Sequence, residues 1–356
     1  MKKGNGIVIF ILGVLVAGIS IFLVILNFRA DDSSNDFFPT PQVTEKKEDS
    51  TEDFTSDPFY TLTIPYLRER SYESELTELD VLSNTGSYTS YLTSYDSDGF
   101  NINGLLTIPN RDEPEGGFPA IVFIHGYIPP SVYETTQNYV AYVDYLAKNG
   151  FVVFKIDLRG HADSEGIAEG SYYSSGYIID TLNAVSALKS SDFVDGKRIG
   201  LWGHSMGGNV VFRSLVANSD TPVAVIWAGA VYTYEDFDEY RISDNSYRPP
   251  SDTSERRRDR ERLADTHGNF DPEDEFWKMV VPTNYLDGIT TALQLNHATD
   301  DNVVNIGYSR NLINVLEGSS LTYELNEYPS GGHNISGNSF NEAMQNTVEF
   351  FREHLE

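Results

Sequence analysis

The chain contains no cysteine. That absence excludes disulfide scaffolds, Cys-based zinc sites, a thiol nucleophile and lipid attachment through cysteine. Positive charge is also scarce: 25 Lys and Arg stand against 53 Asp and Glu, a formal charge of −28. Such an excess argues against nucleic acid or anionic lipid headgroups as partners, because like charges repel. It reads instead as a soluble acidic surface. His125, His161, His204, His297 and His333 stand in separate segments without metal-ligand spacing, so no metal is expected. No motif implies a cofactor, and there are no internal repeats. What is present is a chain of 356 residues, 40% of them hydrophobic, enough for one large domain with appendages.

Residues 7–26 form a nearly unbroken apolar run. About 20 apolar residues in helical rise span the hydrocarbon core of a bilayer. Lys2 and Lys3 precede the run and Asp31 and Asp32 follow it, which predicts a short cytoplasmic N-terminus and an exported remainder. The competing reading is a cleaved signal peptide, whose apolar core is ordinarily shorter and followed by an A-x-A-like site. The expectation is therefore an uncleaved transmembrane anchor over 1–29. Residues 30–57, rich in Asp, Glu, Ser, Thr and Pro, read as an acidic tether, because so little apolar surface cannot offset the entropy of ordering.

From residue 58 to 356 the pattern is that of one domain. Residues 60–64, 88–95 and 99–108 read as strands of N-terminal hairpins within 58–110. Apolar runs at 120–124, 151–156, 198–202, 223–227, 291–295 and 321–325 then alternate with helical periodicity around 139–146, 177–188, 208–217, 308–316 and 340–355. That alternation predicts an α/β fold with a mostly parallel sheet and helices on both faces. Residues 232–286 break the rhythm. They carry Arg256-Arg257-Arg258-Asp259-Arg260-Glu261-Arg262 and Trp277, and read as a small lid with a charged helix face.

The densest motif is Gly203-His204-Ser205-Met206-Gly207, a G-x-S-x-G run behind a predicted strand and ahead of a predicted helix. In that context a serine sits on a sharp strand-to-helix turn with its hydroxyl raised above the sheet edge. The pentapeptide also arises by chance in glycine-rich loops, so the remaining chain must supply a base, an acid and an oxyanion site. Serine is a weak nucleophile until a neutral imidazole takes its proton, and His333, behind Gly331 and Gly332, is placed to do so. The imidazolium formed requires a carboxylate on its other nitrogen. Asp300 and Asp301 both follow a predicted strand, and only one of two adjacent turn residues can reach. The order serine, acid, histidine is that of α/β hydrolases. Two oxyanion donors, each worth about 3 kcal/mol, are expected from Met206 N–H and from Tyr127, through its backbone N–H or its hydroxyl.

His125-Gly126-Tyr127, the run from Asp157 to Ser164, Gly203 through Gly208, His297-x-x-Asp300-x-x-Val303 and Gly332-His333 together resemble the catalytic domain of the prolyl oligopeptidase family. That group overlaps with dienelactone-hydrolase-like and acetyl-xylan-esterase-like enzymes. The resemblance covers about residues 88–356 and implies an α/β-hydrolase fold. It maps the first aspartate of the D-x-x-V pattern onto Asp300 and gives Arg159 and Gly160 a structural role. The family's β-propeller has no room here, and Tyr127 stands where the peptidases often have glycine and the esterases often have tyrosine. The expectation is a membrane-anchored, outward-facing serine hydrolase acting through an acyl-enzyme on short peptides, with a carboxylesterase as the alternative. A third reading, an inactive hydrolase-fold binding module, would ordinarily have lost Ser205 or His333.

Overall fold

A computed structural model describes residues 54–240, 242 and 254–355. The anchor expected over 1–29 and most of the tether expected over 30–57 lie outside the described residues. Among the described residues no helix is long and apolar enough to cross a membrane. Phe54–Ser56, within the expected tether, form a 3-10 turn, and Asp57 Oδ2 lies 3.0 Å from His267 Nε2.

In chain order the first elements are α1 (Ile64–Glu69), β1 (Asp80–Asn84), β2 (Tyr88–Ser97), β3 (Phe100–Pro109) and β4 (Phe118–Ile124). Then come α2 (Val140–Lys148), β5 (Val152–Ile156), α3 (Gly176–Lys189), β6 (Val194–His204), α4 (Met206–Ala217) and β7 (Val223–Trp227). Three helices follow: α5 (Asp236–Tyr240), α6 (Ser254–His267) and α7 (Glu275–Val280). The chain closes with β8 (Ala292–Ala298), α8 (Gly307–Leu316), β9 (Thr322–Tyr328) and α9 (Asn338–Leu355).

The strands form a single sheet in the order β1-β2-β3-β5-β4-β6-β7-β8-β9. The pairs from β1 through β3 to β5 are antiparallel, and those from β5 through β4 to β9 are parallel. Successive side chains of a strand point to opposite faces, and β4 shows both faces covered. Ala120, Val122 and Ile124 pack into one core with Ile178 of α3, Val210 of α4 and Leu312 of α8. Ile121 and Phe123 pack into another with Val143 of α2 and Met344 of α9. Every residue of β5, β7 and β8 is buried, which is why these strands read as continuous apolar runs without alternation.

Two local readings are corrected. Residues 60–64 are not a strand: Tyr60–Leu62 form a 3-10 turn, and α1 begins at Ile64. Pro65 in the first turn and the Thr63 hydroxyl, which accepts from Tyr66 N–H at 3.3 Å, start a helix there, as a proline near N1 and a threonine cap do. β1 was not anticipated, because all five of its residues are exposed on the sheet edge and show no alternation.

The parallel arrangement positions the site. β4, β6, β8 and β9 run the same way, so the loops that follow them emerge at one sheet edge. In an open α/β sheet that carboxyl edge is where side chains from distant segments meet.

Candidate active site

Ser205 sits between the last residue of β6 and the first of α4. Its φ of +56° and ψ of −118° are costly for a non-glycine residue, a conformation that persists only when the surroundings enforce it. Two backbone bonds do so: Ser205 N–H donates to Trp227 O, and its carbonyl accepts from Gly208 N–H, both at 2.9 Å. The flanking residues must be small. A Cβ on Gly203 would lie 2.4 Å from Gly207 O, and one on Gly207 would lie 2.5 Å from Ile124 O. Met206 is the first residue of α4, so its N–H is among those a helix start leaves without an intrahelical acceptor.

His333 lies in a 3-10 turn, Gly332–Asn334, beyond β9. Its Nδ1–H donates to Asp301 Oδ2 at 2.8 Å. The proton is therefore on Nδ1, and Nε2 carries the lone pair. This is where the expected acid is corrected: Asp301, not Asp300, meets the ring. The side chain of Asp301 turns inward because its Oδ1 accepts the N–H groups of Val303 and Val304, at 2.8 and 3.0 Å. Asp300 is exposed and serves the loop backbone instead, accepting Gly332 N–H at 2.8 Å and Gly331 N–H at 3.3 Å. Asp301-x-x-Val304 fits the D-x-x-V pattern as well as Asp300-x-x-Val303 does, so the pattern alone is ambiguous by one residue.

Asp301 is shared. His297, fully buried, donates from Nε2 to Val304 O at 3.0 Å, and the same nitrogen lies 3.2 Å from Asp301 Oδ2. Ser309 Oγ meets the other nitrogen of His297 at 2.8 Å. Burial on its own would raise the Asp301 pKa. The hydrogen bonds from His297 and His333, the charge of His333 and the Val303 N–H outweigh it and hold the carboxyl well below its ordinary range.

Ser205 and His333 open into one cavity of about 1350 Å³, which Tyr127, Met206, His204 and Phe340 also line. Its far wall includes Ile167, Tyr172 and Tyr173 from the segment before α3. The inserted segment contributes Phe237, Ile242, Asp259, Arg260 and Arg262. On α6, Arg262 pairs with Asp259 at 3.0 Å, and the Arg260 guanidinium stands 5.7 Å from the centre of the Tyr173 ring. Part of the arginine run thus faces the cavity.

A family model described as Serine aminopeptidase, S33 matches residues 118–242. Over 244 residues the chain is 27% identical to the uncharacterized peptidase YuxL of Bacillus subtilis (strain 168), covering 67% of this chain and 34% of that protein. Among solved structures, an acetyl xylan esterase from Paenibacillus sp. R4 superposes with a TM-score of 0.57 at 19% identity, over 80% of this chain and 91% of that one. A puromycin-hydrolyzing peptidase of Mycobacterium tuberculosis gives a TM-score of 0.55 at 20% identity, over 77% and 40%. The chain has the α/β-hydrolase fold. It spans about a third or less of the length of the curated peptidases it matches.

The fold places other residues of the sequence motifs in supporting positions. Arg159 is buried against Asp180, with Nη2 2.7 Å from Oδ1 and its backbone N–H 2.9 Å from Oδ2. His125 is buried, donates from Nδ1 to Gly126 O at 2.7 Å and stacks on Tyr133. Burial and the neighbouring His161 hold its pKa well below the ordinary histidine value. Among the described residues no group of His, Cys, Asp and Glu could hold a metal. Two contacts had no signature in the sequence: His297 beneath Asp301, and His204, whose Nε2 lies 2.9 Å from His333 O.

Proposed function

We propose that this α/β hydrolase cleaves acyl bonds with Ser205 as nucleophile, His333 as general base and acid, and Asp301 as the carboxylate that orients the ring. The observation that carries the reading is a strained serine at a helix start opening into the same cavity as a histidine whose other nitrogen is held by a buried carboxylate. In this reaction His333 Nε2 accepts the Ser205 Oγ proton as Oγ adds to the substrate carbonyl carbon. Asp301 stabilises the imidazolium without taking its proton. Met206 N–H and a donor from Tyr127 stabilise the oxyanion. The imidazolium returns the proton to the leaving amine or alcohol as the acyl-enzyme forms. Water, deprotonated by the same nitrogen, then releases the acid and regenerates Ser205.

The substrate proposed is a short peptide. Similarity to a serine aminopeptidase model and to curated peptidases supports it, as does a cavity large enough for several residues. A carboxylesterase is the second reading, favoured by the near-complete coverage of an acetyl xylan esterase. Comparing aminoacyl-p-nitroanilides with p-nitrophenyl acetate separates the two. Hydrolysis of neither, with no fluorophosphonate adduct on Ser205, would overturn both. We further propose that residues 7–26 anchor the enzyme in the cytoplasmic membrane with the catalytic domain outside, a placement supported by the length of the apolar run and by Lys2 and Lys3 ahead of it. Release of the full chain by alkaline carbonate washing would contradict it.

A further inference from the structure

His204 precedes the candidate nucleophile, and its side chain meets the main chain of His333. Its Nε2 lies 2.9 Å from His333 O, and the two rings are 4.6 Å apart between centroids. A carbonyl can only accept, so Nε2 carries the proton and Nδ1 carries a lone pair. Tyr139 Oη lies 2.7 Å from that Nδ1 and must therefore donate to it. The remaining capacity of Oη accepts Gly126 N–H at 2.8 Å. The chain of bonds runs in one direction: Gly126 N–H to Tyr139, Tyr139 O–H to His204, His204 N–H to His333.

Four further observations show that this chain is built rather than incidental. Tyr139 occupies the left-handed region, φ +63° and ψ +20°, immediately before α2, a conformation uncommon outside glycine. Its ring is wedged against Phe123 and Trp202, at centroid distances of 5.4 and 6.2 Å. A side chain on Gly126 would put Cβ 2.8 Å from Tyr139 Oη and 3.0 Å from His204 Nδ1, so glycine leaves the space the pair occupies. Burial, reinforced by the charge of His333, pushes the His204 pKa down to about 3, which keeps the ring neutral and its donor and acceptor fixed.

Resting on the serine-hydrolase reading, we propose that Tyr139 and His204 are positioning residues. They tie the Gly126-Tyr127 oxyanion loop and the His333 loop to the serine elbow, so that base and oxyanion donors keep a single spacing from Ser205. Neither touches the reacting atoms. Their effect is on kcat, because misplacing a catalytic group by about 1 Å can cost about 10²-fold.

The test uses the full chain and three variants, Tyr139→Phe, His204→Leu and His204→Gln, on the best chromogenic substrate, with fluorophosphonate labelling rates measured in parallel. Rates are expressed per folded molecule from circular dichroism. Tyr139→Phe removes one oxygen atom and leaves the packing of the ring. The expected result is a fall in kcat of about 10²-fold for Tyr139→Phe and more for His204→Leu, with KM changed less than about threefold. His204→Gln supplies an N–H and a carbonyl and is expected to recover at least tenfold over His204→Leu. Unchanged kcat per folded molecule in Tyr139→Phe, or a glutamine no better than leucine, would overturn the relay while labelled wild type leaves the hydrolase reading standing. A wild-type chain that is neither labelled nor active overturns both.

Discussion

Ser205 takes most of its geometry from residues within three positions of it, with one backbone bond to Trp227 of the neighbouring strand, whereas His333 and its carboxylate come from loops 32 residues apart in the chain. At the elbow, Gly203 and Gly207 supply the space and the Gly208 N–H closes the turn. At the acid–base pair the carboxylate is chosen within a few residues, but the histidine it meets comes from another loop. Asp301 is selected by the N–H groups of Val303 and Val304 from one side and by His297 from beneath, while Asp300 is turned out to hold the backbone of the histidine loop. The difference teaches that a strained turn carries most of its own instructions, whereas a hydrogen-bonded pair across a sheet edge needs two loops that are shaped separately and then brought together.

The largest effects should come from the two ends of this comparison. Ser205→Ala and His333→Ala are each expected to lower kcat by about 10⁵-fold or more, and the double variant by no more than either, because triad members act as a unit. Additive losses in the double variant would show that the two do not act in one step. Next comes the contrast between neighbours. Asp301→Asn is expected to cost about 10⁴-fold in kcat, since an amide cannot hold the Nδ1 proton and stabilise the imidazolium. Asp300→Ala should cost about tenfold, through a looser Gly331-Gly332 backbone. Equal losses at the two positions would erase the distinction the structure draws between them.

Most strands and helices were legible in the sequence because burial on both faces of a parallel sheet leaves uninterrupted apolar runs, as in Val223–Trp227. The misses have physical causes. Residues 60–64 alternate like a strand, but Pro65 and the Thr63 cap override the alternation. β1 makes no core contact that could impose a pattern. At the site, the placement of Ser205 and His333 beyond strand ends was legible from Gly203 and Gly207 around the serine and from Gly331 and Gly332 ahead of the histidine. The choice of Asp301 was not, because Asp300-Asp301-Asn302-Val303-Val304 fits the pattern in two registers. His204, inside the motif itself, gave no sign that its side chain serves a loop 129 residues away.

The elbow itself can be loosened without touching its chemistry. Gly207→Ala places a Cβ against the carbonyl oxygens of Ile124 and His125, at 2.5 and 2.9 Å. Both contacts are backbone, so the start of α4 must shift away from β4. The expected cost is about 1–3 kcal/mol of stability together with a loss of about 10²-fold in kcat, as Met206 N–H leaves the position where charge develops. Thermal unfolding and kinetics on the same preparation check both. A stable variant with wild-type kcat would mean that the tight turn does not set the oxyanion geometry.

The smallest effect concerns the bridge between the two regions, and its sign can be worked out from titration. The His204 pKa is pushed down to about 3 by burial and the His333 charge, while an unfolded histidine titrates near 6.5. Between these values the unfolded chain binds a proton that the folded chain refuses, so stability falls as pH falls through that window, by up to about 1.4 kcal/mol per pH unit. His125, also depressed, pulls in the same direction, and Asp157, raised to about 6 by burial against the opposing charge of Lys155, pulls the other way. The wild-type curve therefore sums opposing contributions, and a difference isolates one. His204→Gln removes the titrating ring. The variant is expected to be less stable than wild type at pH 7, and the deficit should shrink by about 2 kcal/mol by pH 5, read from urea unfolding at the two pH values. A deficit that stays constant would mean that His204 exchanges its proton freely in the folded state, and the neutral ring that joins the elbow to the histidine loop would not exist.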